Sequence, residues 1–372
     1  MKQIVLNHVT KQFGTRGGPD VIAVNDFNLA IEEGECFAFL GPSGCGKTTT
    51  LRMIAGFEDL SAGEIWLGDR PVSDKKKNLY VPPEHRGLGM VFQSFAVWPH
   101  LNVFENVAFP LRVQKRSKTE VYEAVMQALI HTDLAGLEHV YPSDLSGGQQ
   151  QRIALARSIV TNPKVMLLDE PLSNLDPQLR ESMRFEIKSL QRKFNFTIIF
   201  VTHDQSEAMA LSDRMLVMDM GRIVQVGSPS ELYQNPTNQF VYGFLGLSNF
   251  LRVVVDKGKL YVKDGPAGQA IPFDIPKGIS GSDGLLASRP NEIDISAKPG
   301  SGYPGKIEKR LYLTYCIEYH VRLGNQTIRV HTSHANVFAE GASCSIMFKN
   351  PRWYAAESKE IERERIERQI GV

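Results

Sequence analysis

Cys36-Phe37-Ala38-Phe39-Leu40-Gly41-Pro42-Ser43-Gly44-Cys45-Gly46-Lys47-Thr48-Thr49 decides the fold. Five apolar residues make a short strand, a glycine-rich loop ends it, and residues 48–55 have helical character. The loop matches G-x-x-x-x-G-K-[ST] and stands where that pattern has to stand, after a strand and before a helix. Glycines let the backbone curl until several N–H groups face one anion. The helix start adds the positive end of its dipole. Lys47 supplies a cation for the β- and γ-phosphates, and the Thr48 hydroxyl can ligate Mg²⁺. The expectation is a nucleoside triphosphate cradled by Gly41, Pro42, Ser43, Gly44, Cys45, Gly46, Lys47, Thr48 and Thr49. On its own the loop fits a kinase, a GTPase or a helicase.

Outward from the loop, residues 1–235 alternate strand-like and helix-like segments, which predicts a parallel-sheet α/β domain. Residues 165–168 and 197–201 are continuous apolar runs, the pattern of strands buried on both faces. Residues 178–194 have helical spacing, with Leu179, Met183, Phe185, Ile187 and Leu190 as the expected apolar stripe. The strand 165–168 ends in Asp169 and Glu170. In a phosphate-loop enzyme, an Asp at the end of a neighbouring strand holds the Mg²⁺ shell. Asp169 has that place, and Glu170 would point at the γ-phosphate, where a general base polarises water. From residue 236 the pattern changes to short alternating runs at 251–255, 259–262, 317–323, 327–330 and 345–348, separated by turn signals. That predicts an all-β domain over 236–372, a small barrel. Residues 358–369 are a charged helix candidate.

Leu145-Ser146-Gly147-Gly148-Gln149, followed by Gln150-Gln151-Arg152, narrows the choice. A Ser and two glycines open a helix whose first N–H groups lack partners, which makes a second anion site. This stretch resembles the signature of ABC (ATP-binding cassette) ATPases. The resemblance covers nearly the whole chain. It implies an ABC cassette of α/β P-loop NTPase fold with a helical subdomain at about 95–145, followed by a TOBE/OB-like barrel.

The same resemblance assigns further residues. In the family the signature contacts the γ-phosphate held by a partner subunit, so Ser146, Gly147, Gly148 and Gln149 would act in trans, with Asp176 of the stretch Ser173-Asn174-Leu175-Asp176. The family more often has Ala where Asn174 stands. Gln93 matches the Mg²⁺-sensing glutamine, so Mg²⁺ would lie among Thr48, Gln93 and Asp169; His203 matches the switch histidine. Phe13 fits the aromatic that stacks on adenine. Trp98, just after Gln93, is either a contact for membrane subunits or packed within the subdomain. The C-terminal region resembles the regulatory domain of maltose-, polyamine- and iron-type importer ATPases, and Ser288-Arg289-Pro290 is similar to their Arg-Pro-Glu turn with Asn291 for Glu.

The implied protein is an ATPase with ATP and Mg²⁺ as ligands. It would close head to tail as a homodimer, couple to two transmembrane permease subunits and indirectly to a solute-binding protein, and sit peripherally on the cytoplasmic face of the cell (inner) membrane.

Composition is compatible with this. Of 372 residues 42% are hydrophobic and 22% charged, and 42 basic against 41 acidic residues leave +1, no footprint for nucleic acid. No apolar run approaches the roughly 18–20 residues a membrane helix needs, and the N-terminus does not resemble a signal peptide. Cys36, Cys45, Cys316 and Cys344 have no metal spacing, as expected of reduced thiols in a cytosolic protein. Cys45 lies near a helix start and Lys47, which favours a thiolate. Two other readings remain open: a soluble non-transport ABC ATPase, and a P-loop kinase, which leaves the signature and the β-domain unexplained. The junction Phe244-Leu245-Gly246-Leu247-Ser248-Asn249-Phe250-Leu251 leans to the iron, polyamine and organic-ion branch, with a sugar importer as the alternative.

Overall fold

The structure, a computed structural model, describes residues 1–14, 20–265, 269–273, 275, 283–298 and 300–355. The charged helix candidate at 358–369 lies outside them. The chain divides into two compact units, Met1–Asn235 and Pro236–Val372.

The first unit contains β1 (Lys2–Phe13), β2 (Val21–Glu32), β3 (Cys36–Leu40), α1 (Lys47–Ala55), β4 (Ala62–Leu67), β5 (Arg70–Asp74), β6 (Leu79–Tyr80) and β7 (Leu88–Val91). It continues with α2 (Val103–Val113), α3 (Lys118–His131), α4 (Gly147–Ile159), β8 (Val165–Asp169), α5 (Pro177–Phe194), β9 (Thr197–Thr202), α6 (Gln205–Leu211), β10 (Arg214–Asp219), β11 (Arg222–Gly227) and α7 (Pro229–Gln234). Six strands form one sheet in the order β11-β10-β3-β9-β8-β7, parallel from β10 to β7 with β11 as an antiparallel edge. The strands β3, β8 and β9 are buried along their whole length, as their unbroken apolar runs demand. A second, antiparallel sheet, β2-β1-β4-β5-β6, shares a core with it through Ile4, Phe27, Phe37, Phe39, Leu51 and Ile199.

Register positions the site. Leu40 lies opposite Thr202, Asp169 opposite Val201, and Val91 opposite Leu168. The strands therefore end together, so Gly41, Glu170, His203 and the segment leading to Gln93 leave the sheet along one carboxyl edge. That edge is where open α/β sheets place their ligands.

Helices α2 and α3 each start with a capping box, Asn102 with Glu105 and Ser117 with Glu120. Trp98 is half-buried: its ring centroid is 4.4 Å from that of Phe109, and the Arg157 guanidinium lies 4.6 Å over it. One face of α5 buries Met183, Ile187 and Leu190 as the spacing predicts, but Phe185 is 72% exposed. The stripe is corrected there: Phe185 follows Met183 by two residues and so projects from another side of the helix. Among the described residues no helix is long and apolar enough to cross a membrane.

The second unit opens with α8 (Gln239–Phe244) and continues with β12 (Asn249–Asp256), β13 (Lys259–Val262), β14 (Ala270–Ile271), β15 (Asp283–Ser288), β16 (Ile293–Ser296), β17 (Tyr303–Tyr312), β18 (Ile317–Leu323), β19 (Gln326–Thr332), β20 (Ser343–Phe348) and β21 (Arg352–Ala355). Two five-stranded antiparallel sheets, β14-β13-β12-β15-β21 and β16-β20-β17-β18-β19, enclose one core in a barrel-like arrangement. Leu251, Val253 and Leu286 from the first sheet meet Ile317, Tyr319 and Ile346 from the second. The Asn249 side chain fastens them by donating to Arg329 O and accepting from Arg329 N. Arg289 is buried, lies 4.0 Å over the Tyr242 ring and donates to Gly246 O and Ser248 Oγ.

Candidate active site

A cleft of about 500 Å³ opens at the carboxyl edge of the parallel sheet, lined by Ala23, Ser43, Gly44, Gly46, Lys47, Thr48, Thr49, Glu170 and His203. The loop between β3 and α1 needs its glycines. Gly46 has φ +104°, and a Cβ there would meet Ala23 O at 2.3 Å; one at Gly41 would meet Met218 O at 2.5 Å. Behind the loop, Gly221 N donates to Cys45 O, so the turn after β10 braces it. Lys47 is buried and its Nζ donates to Gly41 O at 2.7 Å and Pro42 O at 2.9 Å. The cation is thereby folded onto its own loop, beside the amides that would face an anion.

Thr48 Oγ1 donates to Asp169 Oδ1 at 3.3 Å. Burial pushes the Asp169 carboxyl above its ordinary range, opposed by Arg52 and by the Thr48 hydroxyl. One hydroxyl and one carboxylate are the sparse, hard oxygen donors that Mg²⁺ takes when phosphates and water complete its shell. No group of three or more His, Cys, Asp or Glu side chains suited to a metal occurs among the described residues. The Thr48–Asp169 pair fits a Mg²⁺ that would arrive with its nucleotide.

Glu170 is held firmly. Its φ is +45°, an unfavourable conformation for a residue with a side chain, of the kind that collects at functional sites. Glu170 N donates to Val201 O, while Glu170 O accepts from Ser173 N and Ser173 Oγ. Its carboxylate accepts from Gln93 Nε2 at 3.2 Å, and His203 Nδ1 lies 3.3 Å from the other oxygen. The three residues singled out for chemistry thus converge on one carboxylate.

Other expected residues lie elsewhere. Ser146 caps α4 in a box with Gln149; Ser146 and Gly147 are exposed, and Gly148 packs so tightly that a Cβ would meet Leu179 Cδ2 at 2.6 Å. Asp176 is exposed and caps α5 through Leu179 N. None of these lines the cleft. Phe13 is 40% exposed at the end of β1, with Lys11 Nζ 4.7 Å over its ring, and does not line the cleft either.

Several residues behind the site carry no motif. Ala23 lines the cleft from β2. Thr202 Oγ1 donates to the buried Glu207 Oε2 and accepts from Asp204 N, which supports the turn that carries His203. Asp204 caps α6 and pairs with Arg180, whose guanidinium also donates to Leu175 O. An acidic residue just after a strand is a capping signal, but nothing local in the sequence announces Arg180 or Glu207.

The expectation of a thiolate at Cys45 is corrected. The side chain is 4% exposed, and burial pushes its pKa up, outweighing Lys47 with Nζ 3.8 Å from the sulfur. Alkylation at neutral pH should therefore be slow and accelerate only at alkaline pH. Mass spectrometry of Cys45 labelling across pH checks this; fast labelling at neutral pH would show an accessible thiolate instead.

The family model described as ABC transporter matches residues 24–173. The Fe(3+) ions import ATP-binding protein of Agrobacterium fabrum is 42% identical over 351 residues, 93% of this chain and 96% of its own length. The spermidine/putrescine import ATP-binding protein of Acidothermus cellulolyticus is 43% identical over 324 residues, 85% of this chain and 82% of its own. The maltose/maltodextrin import ATP-binding protein of Vibrio parahaemolyticus is 38% identical over 360 residues, 96% and 91% respectively. A dimeric ATP-binding cassette solved in a post-hydrolysis state with ADP and Pi superposes with a TM-score of 0.53 at 31% identity, covering 61% of this chain and 98% of that one. Iron, polyamine and sugar relatives match to a similar degree, so the lean toward the ion and polyamine branch gains no support over the sugar alternative. Relatives of this likeness along almost the full length place the chain in the ABC transporter family, as an ATP-binding subunit of the importer type and an ATPase.

Proposed function

We propose that this subunit energises solute uptake by hydrolysing MgATP at the cleft between the β3–α1 loop and the Glu170–His203 edge. The observation that carries the proposal is the convergence of Gln93, Glu170 and His203 beside Lys47 and Thr48. Lys47 would exchange its bonds to Gly41 O and Pro42 O for phosphate oxygens as ATP enters. Phe13 would offer its exposed ring to the adenine. Thr48, Asp169 and Gln93 would hold Mg²⁺, which neutralises phosphate charge when bound. Glu170 takes a proton from water whose oxygen attacks the γ-phosphorus, the bond to the β-phosphate oxygen breaks, and ADP leaves with phosphate. His203 would steady the γ-phosphate.

Ser146, Gly147, Gly148, Gln149 and Asp176 would complete the cleft of a second copy, because the cleft of their own chain does not include them. A head-to-tail homodimer then has two competent sites, docked on two transmembrane permease subunits at the cytoplasmic face of the membrane and fed by a solute-binding protein. The relatives' names keep two solute classes in view, metal or organic cations and sugars.

The test joins product analysis to co-purification. Expected are ADP and free phosphate from purified protein and recovery of integral membrane proteins from detergent extracts of its host. A phosphorylated small molecule in place of free phosphate would establish a kinase. Hydrolysis with no membrane partner would favour a soluble ABC ATPase. A ligand screen on the partner solute-binding protein then decides the solute.

A further inference from the structure

The Asn174 side chain has a specific task in the loop after Glu170. Asn174 Nδ2 donates to Gln93 O at 2.8 Å. The acceptor is a carbonyl, so the amide must face it with nitrogen. Gln93 Nε2 in turn donates to Glu170 Oε2 at 3.2 Å, and a carboxylate acceptor fixes that amide in the same way. Glu170 O accepts from Ser173 N and Ser173 Oγ, which sets the turn from which Asn174 projects. The hydrogen bonds close a ring: Glu170 backbone, Ser173, Asn174 side chain, Gln93 backbone, Gln93 side chain, Glu170 carboxylate. His203 Nδ1 lies 3.3 Å from Glu170 Oε1, so both carboxylate oxygens face a partner within the chain.

We propose that Asn174 is a positioning residue that latches the Gln93 segment to the Ser173–Asp176 loop and so holds Gln93 on Glu170 in the resting subunit. This rests on the general-base reading of Glu170. The bond that Gln93 donates stabilises the charged carboxylate and so lowers its basicity toward water, and Gln93 cannot reach toward Mg²⁺ while it is bound there. Catalysis requires the ring to open. A latch between exposed groups competes with water and is weak enough to be opened by nucleotide or by a partner chain. Alanine at this position would leave the Gln93 segment without the bond.

The experiment compares Asn174→Ala and the isosteric Asn174→Asp, which replaces the donor with an oxygen facing Gln93 O. Basal turnover is measured in the full chain at protein concentrations that saturate dimerisation, in wild-type and Gln93→Ala backgrounds. The expected result is a rise in kcat of about two- to tenfold, the range of one modest hydrogen bond, with KM for ATP unchanged. The rise should vanish in the Gln93→Ala background, because the latch acts through that residue. A spin label on Ser94→Cys reports the latch without activity, since the four native cysteines are buried. Its nucleotide-free spectrum should sharpen with Asn174→Ala. Unchanged or lowered kcat, an equal rise without Gln93, or an unchanged label spectrum would overturn the latch. If Glu170→Gln retains full activity while the label still sharpens, the general-base reading fails and the latch stands.

Discussion

Replacing Glu170 with Gln is expected to lower ATP hydrolysis by on the order of a hundredfold or more, the usual scale of general-base catalysis, while ATP binding survives. The substitution keeps size and one acceptor oxygen for Gln93 Nε2 but removes the basic carboxylate. Binding depends on other groups: Lys47, the loop amides and the Thr48–Asp169 pair. A site that binds but does not turn over leaves the closed state populated. The variant should therefore run as an ATP-dependent dimer in gel filtration, with nucleotide between Lys47 of one copy and Ser146 of the other. Asp169→Asn should differ in kind. Its buried carboxylate meets Thr48, so the amide weakens Mg²⁺-dependent binding and no dimer accumulates. Adding Ser146→Arg to Glu170→Gln should abolish the dimer by placing a bulky cation at the exposed α4 cap. Wild-type hydrolysis by Glu170→Gln would refute the general base, and a dimer indifferent to Ser146→Arg would refute the sandwich.

How much of this was legible follows the range of each interaction. The β3–α1 loop is local in sequence, and its glycines meet steric requirements that one window displays; Gly46 at φ +104° is the clearest case. Strands β8 and β9 are buried on both faces, and unbroken apolar runs announce that without help from their neighbours. The antiparallel sheet of the first unit was not foreseen, for a physical reason. In β1, Ile4 and Leu6 face the core, but the register shifts between Leu6 and Val9 around His8 at φ +50°, so the period of two breaks mid-strand. Asp26 at φ +48° interrupts β2 in the same way. At the site, motif residues could be named one by one, yet the Gln93–Glu170–His203 contact joins three strand ends that are far apart in sequence. Cys45 shows a nearby cation outweighed by burial, which no spacing reveals.

Arg86 has no motif at all, yet its loss should produce the largest fall in stability. It is 6% exposed, and its guanidinium donates to Met53 O, Ile54 O, Val72 O and Ser73 Oγ, while Nε donates to Val81 O. Two of these acceptors are carbonyls of the last turn of α1, of which Met53 O also accepts from Gly56 N, and a cation there complements the helix dipole. Burial lowers the Arg86 pKa to about 10, so the side chain remains a cation at neutral pH. Gly56, the α1 cap at φ +86°, must lack a Cβ because one would meet Arg86 Nε at 2.5 Å. Met53 O and Val72 O keep backbone donors in Gly56 N and Val81 N. Arg86→Met fills much of the volume but takes the guanidinium from buried Ile54 O, Val81 O and Ser73 Oγ, a cost of roughly 3–5 kcal/mol. Arg86→Lys should recover only part, since one ammonium cannot span the α1 carbonyls and the β5 groups together. The check is the urea midpoint of the transition that MgATP shifts, which belongs to the unit holding the cleft. That midpoint should fall steeply for Arg86→Met and less for Arg86→Lys. Nucleotide affinity should weaken in the folded Lys variant, because α1 carries Lys47 and Thr48 at its other end. An Arg86→Met unfolding free energy, from midpoint and slope, within about 1 kcal/mol of wild type would mean that water or backbone movement satisfies those carbonyls, and that Arg86 does not anchor the phosphate-loop helix.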